Sequence, residues 1–600
     1  MIKLSDYVIN RIAQEGVYHV FMVSGGGAMY LIDSLGRNKQ IQYVCNHHEQ
    51  ASAMAAEGYQ RVTGNLGVAL ITTGPAGTNT ITGVLCSWND SIPVLFISGQ
   101  ANSKNLIDET GLRQRGVHEA QITKIVESVT KYAILIKDEN TIQYHLEKAI
   151  YLAKNGRPGP VWIDIPLDIQ SKMIDLRNQK KFDPNIEFAD HSNGRLSEIK
   201  KVVELLSKSS RPIILAGHGI RLSKMQDAFL KFIEKYRIPV VTTKNAMDII
   251  YDSHELLAGR IGINGQRAGN FAIQNSDLVI CLGSRLSFPT VGYATDFFAR
   301  SAKKIVVDID PIQLNNSTIK IDIPINTSVN NFLNQLDNAL ENQHHLEFSD
   351  WIKKCHNWRQ KYPPVLPDWK KESDYVNPYF FFEILSEVMA DDDILVTDQG
   401  ATFYCSTVAF KLKKGQRLFT NGGFSPMGYG LPAAIGACFA NNKKRIICAH
   451  GDGGLQLNIQ ELQTIVHHNL PIKLFVFNND GYLSIKHTQT SYFDGFFVGS
   501  DPKSGLTCPD ILKIGSAYGI QTVTIKNHSN LQESIKKAIS KEGPVIIEVK
   551  LNPMQPFMPK VGSERRVTDG VMISNPLEDM SPLIPRSEFN NEMIIEPIDK

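Results

Sequence analysis

The chain has 600 residues, a formal net charge of +2 and 21% charged residues, as expected for a globular protein of two or three domains. The near-neutral charge and the lack of basic runs interleaved with aromatic residues argue against a nucleic-acid partner. No apolar run reaches the roughly 18 residues of a membrane span, and the first residues have the pattern of an amphipathic helix, not of a signal peptide. We therefore expect a cytoplasmic protein with no membrane partner.

Cysteine usage agrees with that expectation. The eight cysteines are scattered, without a CxxC pair, and several lie in apolar patterns typical of buried thiols. The sequence therefore predicts neither disulfides nor a zinc site.

Strand-like runs alternate with helical patterns along the chain, which predicts parallel sheets covered by helices on both faces. In residues 1–180 the runs are "GVALITT", "PVLFISG" and "GPVWIDIP", and the polar stretch 177–195 then has the composition of a linker. A second such segment, 190–345, includes "RPIILAGHGI", "SDLVICLGSR" and "KKIVVDIDP". A third, 370–555, includes "DILVTDQG", "RIICAHGDGG" and "IKLFVFNND", and residues 556–600 form a tail without clear periodicity. We predict an α/β fold with three doubly wound parallel-sheet domains.

Oxygen-bearing side chains follow two neighbouring strands of the third segment. Asp452 comes between glycines at the end of "RIICAH", and Asn479 follows "IKLFVF". Ligands of open parallel sheets bind beyond the carboxyl ends of strands, where glycines let the backbone approach a phosphate. Carboxylate and amide oxygens are ligands that Mg²⁺ prefers. The pair predicts a magnesium-bound diphosphate site, whereas an isolated GDG would more often be a simple helix cap.

The stretch "GDGGLQLNIQELQTIVHHNLPIKLFVFNND" resembles the diphosphate motif of thiamine-diphosphate enzymes, in which GDG is followed at this separation by NN. The resemblance implies thiamine diphosphate and Mg²⁺ as cofactors. It also implies that Asp452, the Asn479 side chain and the Gly481 carbonyl bind the metal.

The segment "YVCNHHEQASAMAAEGYQRVTG" resembles the cofactor-activating segment of the same family, with the catalytic acid at Glu49. A carboxyl group paired to the aminopyrimidine ring promotes the tautomer that removes the thiazolium C2 proton. Read alone, Glu49 would be an exposed acid at a helix start.

Further segments extend the resemblance over nearly the whole chain, towards the acetohydroxyacid (acetolactate) synthase branch. They are "FMVSGGGAM", "TTGPAGTNTITGVLCSWNDSIPVLFISGQ", "KNGRPGPVWIDIPLDIQ" and "TNGGFSPMGYGLPAAIGA". In that branch the methionine of the last segment, Met427 here, props the cofactor in a bent conformation. The implied cofactor-binding residues are Gly25, Gly26, Pro75, Asn79, Gln399, Gly400, Gly423, Ser425, Met427, Gly451, Asp452, Gly453, Gly454, Asn479, Gly481, Tyr482 and Leu483.

Four positions depart from the synthase pattern. Ser24 replaces a proline in a loop near the reacting carbons, and His118 stands where a glutamine is usual and could move protons. The central stretch "GSRLSFPTVG" keeps Arg285 but has Pro289 where synthases have the arginine that binds the acceptor's carboxylate. Gln489 stands near the position of the tryptophan that selects the acceptor acid. We take Ser24, His118 and Gln489, together with Glu49, as candidate catalytic residues.

The two changes at Pro289 and Gln489 concern the acceptor half of the reaction. We therefore expect pyruvate or a similar 2-keto acid as donor and a neutral aldehyde or ketone, such as one on a sugar, as acceptor.

Flavin is a separate question, because the central segment resembles the FAD-binding stretches of synthases. The possible FAD residues are Gly217, Gly219, Arg285 and Asp308, although glycine-rich turns at strand ends also occur in flavin-free relatives.

The sequence predicts a carboligase that decarboxylates a 2-keto acid and transfers the acyl group to a carbonyl acceptor. Two alternatives remain: a simple 2-keto acid decarboxylase or carbon-carbon lyase, and a catalytically silent cofactor-binding paralogue. The resemblance also implies a homodimer or homotetramer with active sites between subunits.

Overall fold

Three six-stranded parallel sheets dominate the computed structural model, which describes residues 1–107, 110–188, 197–341, 346–565 and 572–598. In spatial order, the N-terminal sheet has the strands Gln42–Cys45, His19–Met22, Gly67–Ile71, Val94–Gln100, Val161–Pro166 and Tyr132–Leu135; the central sheet has Leu257–Arg260, Val240–Thr242, Pro212–Ala216, Leu278–Leu282, Lys303–Asp308 and Ile323–Asn326; the C-terminal sheet has Arg417–Phe419, Ile394–Thr397, Ile446–Gly451, Ile472–Asn478, Val545–Lys550 and Gln521–Ile525. The predicted fold class is confirmed.

Helices cover both faces of each sheet, as the fully buried strands such as Gly67–Ile71 and Leu278–Leu282 require. The N-terminal part has Leu4–Gln14, Met29–Arg37, Glu49–Thr63, Pro75–Asp90, Ile122–Val126, Ile142–Lys154, Leu167–Gln170 and Pro184–Glu187; the central part has Ile199–Lys208, Gly219–Leu222, Gln226–Tyr236, Arg267–Asn275, Phe288–Val291, Pro311–Asn315, Val329–Leu340 and Ser349–Lys361; the C-terminal part has Pro378–Val388, Ala401–Ala409, Gly430–Ala440, Asp452–Leu455, Leu462–His467, Leu483–Tyr492, Ile511–Ala517 and Leu531–Ile539. Among the described residues, none of these helices is long and apolar enough to cross a bilayer.

The stretch expected to be a linker is partly anchored. Phe182 and Phe188 pack against Tyr151 of the Ile142–Lys154 helix, with ring centroids 5.5 and 5.6 Å from it. Residues 189–195 of that stretch lie outside the described residues.

The end of the chain packs on the central sheet's helices. It contains the short strands Lys560–Val561, Ser563–Arg565, Met572–Ser574 and Met580–Ser581 and the helix Arg586–Glu592. Asn270 donates to the Leu577 carbonyl at 2.9 Å, Arg300 pairs with Glu578 at 2.7 Å, and Phe589 packs near Phe271.

The N-terminal and C-terminal sheets share one hydrophobic core, formed where the Glu49–Thr63 helix packs on the Gly430–Ala440 helix. A Cβ on Gly58 would lie 2.3 Å from the Ala433 oxygen, and one on Gly436 would lie 1.9 Å from the Ala55 oxygen. Because Gly58 meets Ala433 while Ala55 meets Gly436, the two helices run antiparallel.

Candidate active site

Asp452 joins two neighbouring strand ends of the C-terminal sheet. Strand Ile446–Gly451 pairs with Ile472–Asn478, so the residues that come after them lie side by side. The Asp452 carboxylate accepts N–H bonds from Gly453 at 2.8 Å, Asn479 at 3.1 Å and Gly481 at 3.2 Å. The two strand ends that the sequence predicts to face one site therefore do meet there.

The Asp452 side chain is buried. The side chain is 1% exposed, and this burial raises the pKa of its carboxyl to about 6 against the lowering effect of the three N–H donors. Asn479 is also buried, and the Lys486 ammonium donates to its carbonyl oxygen at 2.9 Å. A buried carboxylate thus contacts the backbone N–H of Asn479, and a buried lysine contacts its backbone carbonyl.

The donor set fits a hard cation with a phosphate. A carboxylate, a side-chain amide and a backbone carbonyl are oxygen ligands of the kind Mg²⁺ accepts. Clusters of three or more His, Cys, Asp or Glu side chains suited to a metal do not occur among the described residues, so the magnesium site would depend on this mixed set. A Cβ on Gly451 would meet nothing within 4 Å, which leaves room for a ligand at the strand end.

Other predicted cofactor residues lie at the same edge of the C-terminal sheet. Gln399 and Gly400 come after strand Ile394–Thr397, and a Cβ on Gly400 would lie 3.9 Å from the Ser484 oxygen. Gly453 packs against the Tyr482 ring, and a Cβ on Gly453 would lie 2.4 Å from a ring carbon. Leu483 begins the next helix.

The turn 421–428, between strand Arg417–Phe419 and helix Gly430–Ala440, carries three further predicted residues. Asn421 accepts N–H bonds from Phe424 at 3.1 Å and Ser425 at 3.2 Å, which shapes the turn. Met427 is 40% exposed at its tip. Gly423, in contrast, lies at Asp90 and Arg285, away from that tip.

Glu49 begins its helix at the carboxyl edge of the N-terminal sheet. Asn79, at the start of the neighbouring Pro75–Asp90 helix, donates to Glu49 Oε2 at 2.9 Å. The helix start is held by Glu461, whose carboxylate accepts from the His47 and His48 backbone N–H groups at 2.9 and 3.1 Å. Glu49 is half-buried.

The remaining N-terminal candidates share this edge. Ser24 and Gly26 are exposed, Gly25 packs on Thr72, and Pro75 is the first residue of its helix. The exposed His118 has φ 57°, and its carbonyl oxygen would lie 2.1 Å from a Cβ on Gly74, directly before Pro75. Ser24, Glu49, Asn79 and His118 thus form one group.

Within one chain the Glu49 group and the Asp452 group stay apart. In the antiparallel helix pair, Glu49 begins one helix nine residues before Gly58, and Gly430 begins the other helix three residues before the facing Ala433. At 1.5 Å per residue the two helix starts lie about 18 Å apart along the pair.

The side-chain amide of Gln489 is hydrogen-bonded to the loop that follows its own helix. Its amide nitrogen donates to the Val498 carbonyl at 2.9 Å, and its amide oxygen accepts from the Ser500 hydroxyl at 2.8 Å. The Ser500 carbonyl in turn accepts from the Tyr482 backbone N–H at 2.9 Å. Gln489 therefore ties the loop after its helix to the Asp452 edge, and its catalytic role stays a prediction.

A cavity of about 450 Å³ lies between the three sheets. Three of the four possible FAD residues line it, namely Gly219, Arg285 and Asp308, and Gly423 borders it as well. Gly217 and Gly219 both pack tightly on Gly283: a Cβ on Gly217 would lie 2.2 Å from the Gly283 oxygen, and one on Gly219 would lie 2.7 Å from the Gly283 Cα. That packing by itself accounts for both glycines.

The lining of this cavity nevertheless suits a ligand. The imidazole of His218 lies within hydrogen-bonding distance of the Asn245 carbonyl through Nδ1, at 2.9 Å, and its buried Nε2 has no protein partner among the described residues. Burial lowers the pKa of His218 to about 4, so Nε2 is an acceptor. An acceptor without a protein partner, in a cavity that Arg285 also lines, fits a polar ligand such as a nucleotide.

Several buried carboxylates that organise the site escaped sequence reasoning. Asp398 contacts the turn that carries Met427, and Glu461 holds the start of the Glu49 helix. Glu57 and Asp90 both pair with Arg61, at 2.9 and 2.5 Å, and accept from Asn421 and from the Gly422 backbone. Apart from Arg61, which lies four residues after Glu57 in the same helix, the partners of these carboxylates are far away in sequence, so no local pattern marks them.

Comparisons with known proteins agree with this geometry. The chain matches three family profiles, described as the N-terminal binding domain, the central domain and the C-terminal binding domain of thiamine pyrophosphate enzymes, over residues 2–124, 199–336 and 400–549. The chain belongs to the thiamine pyrophosphate (thiamine diphosphate) enzyme family.

The relatives of the chain indicate which branch of this family it belongs to. It is 31% identical to the acetolactate synthase large subunit of Lactococcus lactis over 562 residues, covering 93% of this chain and 94% of that protein. It is 30% identical to the subunit of Porphyra purpurea, over 95% of both chains, and 28% identical to the Escherichia coli isozyme 1 large subunit, over 93% and 95%. The protein is thus a thiamine-diphosphate enzyme of the acetolactate synthase-like branch.

Replacing Asp452 with asparagine should weaken thiamine diphosphate and Mg²⁺ binding together. The substitution keeps the shape but removes the anionic ligand, and we expect the cofactor's Kd to rise by about 100-fold at fixed Mg²⁺. Titration followed by protein fluorescence or calorimetry measures this. Asp480→Asn, which neutralises an exposed carboxylate in the same turn, is the matched control and should change Kd by less than about threefold. Equal weakening in both variants would point to long-range charge instead of metal ligation.

Proposed function

We propose that the protein is a carboligase that decarboxylates a 2-keto acid and transfers the remaining acyl group to a carbonyl acceptor. The observation that carries this proposal is the buried Asp452 carboxylate shared by two strand ends, in a chain similar to acetolactate synthase large subunits throughout its length. When bound, thiamine diphosphate supplies the electron sink for loss of carbon dioxide and the carbon that carries the acyl group to the acceptor.

Asp452, Asn479 and Gly481 would hold Mg²⁺ against the diphosphate. The neighbouring Gly453 and Gly454 begin a short helix, so their backbone also favours negative charge. The Lys486 ammonium, which donates to Asn479, adds a fixed positive charge close to this anionic set.

Glu49 would hold and move the proton at the far end of the cofactor. Asn79 holds its carboxylate, and Glu461 holds the backbone directly before it, so the Glu49 side chain is oriented from both sides. A positioned carboxyl group of this kind contributes about 10² to 10⁴ in rate.

The proposed acceptor is a neutral aldehyde or ketone, with pyruvate or a similar 2-keto acid as donor. Pro289 carries no charge, and its carbonyl accepts from the Ile263 backbone N–H at 3.0 Å, so this position offers nothing to a second carboxylate. Arg285 lines the central cavity beside Asp90, which lies next to Gly423.

A homodimer or a larger homo-oligomer would complete the active site, with the Glu49 group of one subunit facing the Asp452 group of another. The separation of about 18 Å between the starts of the Glu49–Thr63 and Gly430–Ala440 helices within one chain supports this arrangement. Apolar side chains exposed near the two groups support it too: Met427 and Leu457 on one edge, and Val117 on the other, are 40%, 46% and 81% exposed. The cytoplasm stays the predicted location.

Incubating the protein with thiamine diphosphate, Mg²⁺ and pyruvate, with and without neutral aldehydes, should yield hydroxyketones in which acceptor and acetyl group are joined. Product analysis by mass spectrometry measures this outcome. Acetaldehyde as the sole product under both conditions would favour the decarboxylase alternative, and no turnover of any 2-keto acid would favour the silent paralogue.

Mixing two inactive variants should restore activity if the site spans two subunits. When equal amounts of Glu49→Gln and Asp452→Asn exchange subunits, half of the dimers contain one subunit of each variant. In such a dimer both substitutions fall in one site, and the other site is intact. We expect about a quarter of wild-type turnover after subunit exchange. Activity that stays at the level of the separate variants, with exchange verified by mass, would contradict a shared site.

FAD is our proposed occupant of the central cavity. The purified protein should carry a flavin absorbance spectrum, and heat denaturation should release FAD into the supernatant. His218→Phe removes the unpaired Nε2 acceptor and puts a larger apolar ring in its place, so it should lower flavin content several-fold. A colourless protein that binds no added FAD would reject this part of the proposal.

A further inference from the structure

Asp398 lies at the carboxyl end of strand Ile394–Thr397 and is 1% exposed. Its backbone N–H continues the parallel ladder to the Ala449 carbonyl at 2.9 Å. The side chain is thereby anchored on the central part of the C-terminal sheet, one residue before the predicted cofactor residue Gln399.

The Asp398 carboxylate holds the turn that carries Met427. Gly428 donates its N–H to Oδ2 at 3.3 Å, and Gly430 donates its N–H to Oδ1 at 3.1 Å. The Gly428 nitrogen belongs to the peptide plane directly after Met427. One carboxylate therefore sets the orientation of the Met427–Gly428 peptide.

The same carboxylate also contacts the diphosphate edge. His450, which is fully buried just before Gly451, has Nδ1 3.3 Å from Asp398 Oδ2. A Cβ on Gly454 would lie 2.4 Å from that oxygen, so the start of the Asp452–Leu455 helix packs directly on the carboxylate. Three separate segments of the chain therefore meet at Asp398.

Gly428 is held on its other side as well. Asn458, 1% exposed, donates its amide N–H to the Gly428 carbonyl at 2.8 Å. Gly428 has φ 85°, and a Cβ there would lie 2.7 Å from Leu457, so a side chain is excluded by both conformation and space. Both peptide planes next to Gly428 are thus fixed from the buried side, while Met427 itself is partly exposed.

A helix cap would explain part of this arrangement, because Gly430 is the first residue of the Gly430–Ala440 helix. It would not explain the bond to Gly428, nor the contacts with His450 and Gly454. The whole set of contacts links the turn of Met427 to the strand end of Asp452 through one buried anion.

We propose that Asp398, together with Asn458, is a positioning residue that sets the height of Met427 above the diphosphate edge. This inference rests on the proposed function, in which Met427 supports the reactive conformation of thiamine diphosphate. Diphosphate affinity comes from the Asp452 edge, so loosening the turn should slow proton removal from the cofactor far more than it weakens binding.

The test is Asp398→Asn in the full chain loaded with thiamine diphosphate and Mg²⁺. Asparagine keeps one acceptor oxygen but sets an NH₂ group against a backbone N–H. We expect hydrogen–deuterium exchange at the cofactor C2 atom, measured by NMR after acid quench, to fall by at least about tenfold, since misplacement of about 1 Å is enough for losses of this order. The cofactor's Kd should change by less than about threefold.

Asp393→Asn is the matched control. Asp393 is 5% exposed at the other end of the same strand, where it accepts from Ala390 and pairs with Arg445. It should lower the melting temperature and leave C2 exchange at the wild-type rate. Slower exchange in this control too would mean that general destabilisation explains the effect, which would overturn the proposal.

A double-mutant cycle with Met427→Ala separates a positioning role from an independent one. If Asp398 acts through Met427, the double variant should be no slower in C2 exchange than the slower single variant. The proposal would be overturned if the two substitutions slowed C2 exchange independently, so that their effects multiplied in the double variant. It would also be overturned if the C2 exchange rate of Asp398→Asn at saturating cofactor were within twofold of the wild-type rate. If Asp398→Asn does not fold, Asn458→Ala releases the other side of Gly428 and must show the same slow exchange. A wild-type protein that fails to accelerate C2 exchange would instead overturn the proposed function.

Discussion

The close packing of the Glu49–Thr63 helix on the Gly430–Ala440 helix determines how the two sheet edges that carry the candidate active-site residues are arranged in this protein. Gly58 and Gly436 let two backbones touch where any side chain would collide with a carbonyl oxygen at 2.3 or 1.9 Å. The antiparallel contact joins the N-terminal and C-terminal sheets into one core. It also turns the edges that carry Glu49 and Asp452 towards opposite ends of the helix pair, and a second copy is therefore proposed to complete each active site.

Buried carboxylates then specify how the edges are shaped. Glu57, Asp90, Asp398 and Glu461 are all less than 5% exposed, and each accepts hydrogen bonds from a segment distant in sequence. Burying a charge costs several kcal/mol unless partners satisfy it, so these groups contribute geometry more than net stability. Burial raises the pKa of Glu57 despite Arg61 beside it, in keeping with that cost.

The family chemistry and the individual features of this chain occupy different places. Asp452, Asn479 and Glu49 lie on the two edges where the shared cofactor would bind. Pro289 is an exposed residue that lines the cavity of the central part. Gln489 ties a loop that carries the exposed Phe493 and Phe496 back to Ser500. We expect changes at these two positions to alter the surroundings of the acceptor, because neither residue is among the predicted metal ligands. A common first half-reaction with a different acceptor is the simplest interpretation of that separation.

The sequence by itself determined the three α/β segments and predicted that Asp452 and Asn479 meet at one edge of the third sheet. Buried parallel strands are continuous apolar runs, and Asp452 and Asn479 come directly after such runs, so local pattern was sufficient. The roles of Asp398, Glu461 and Asn458, the hydrogen bonds of Gln489 and the separation of Glu49 from Asp452 depended on the tertiary structure. These features arise from contacts between residues up to about four hundred positions apart, and the geometry of such contacts leaves no periodic signal in the chain.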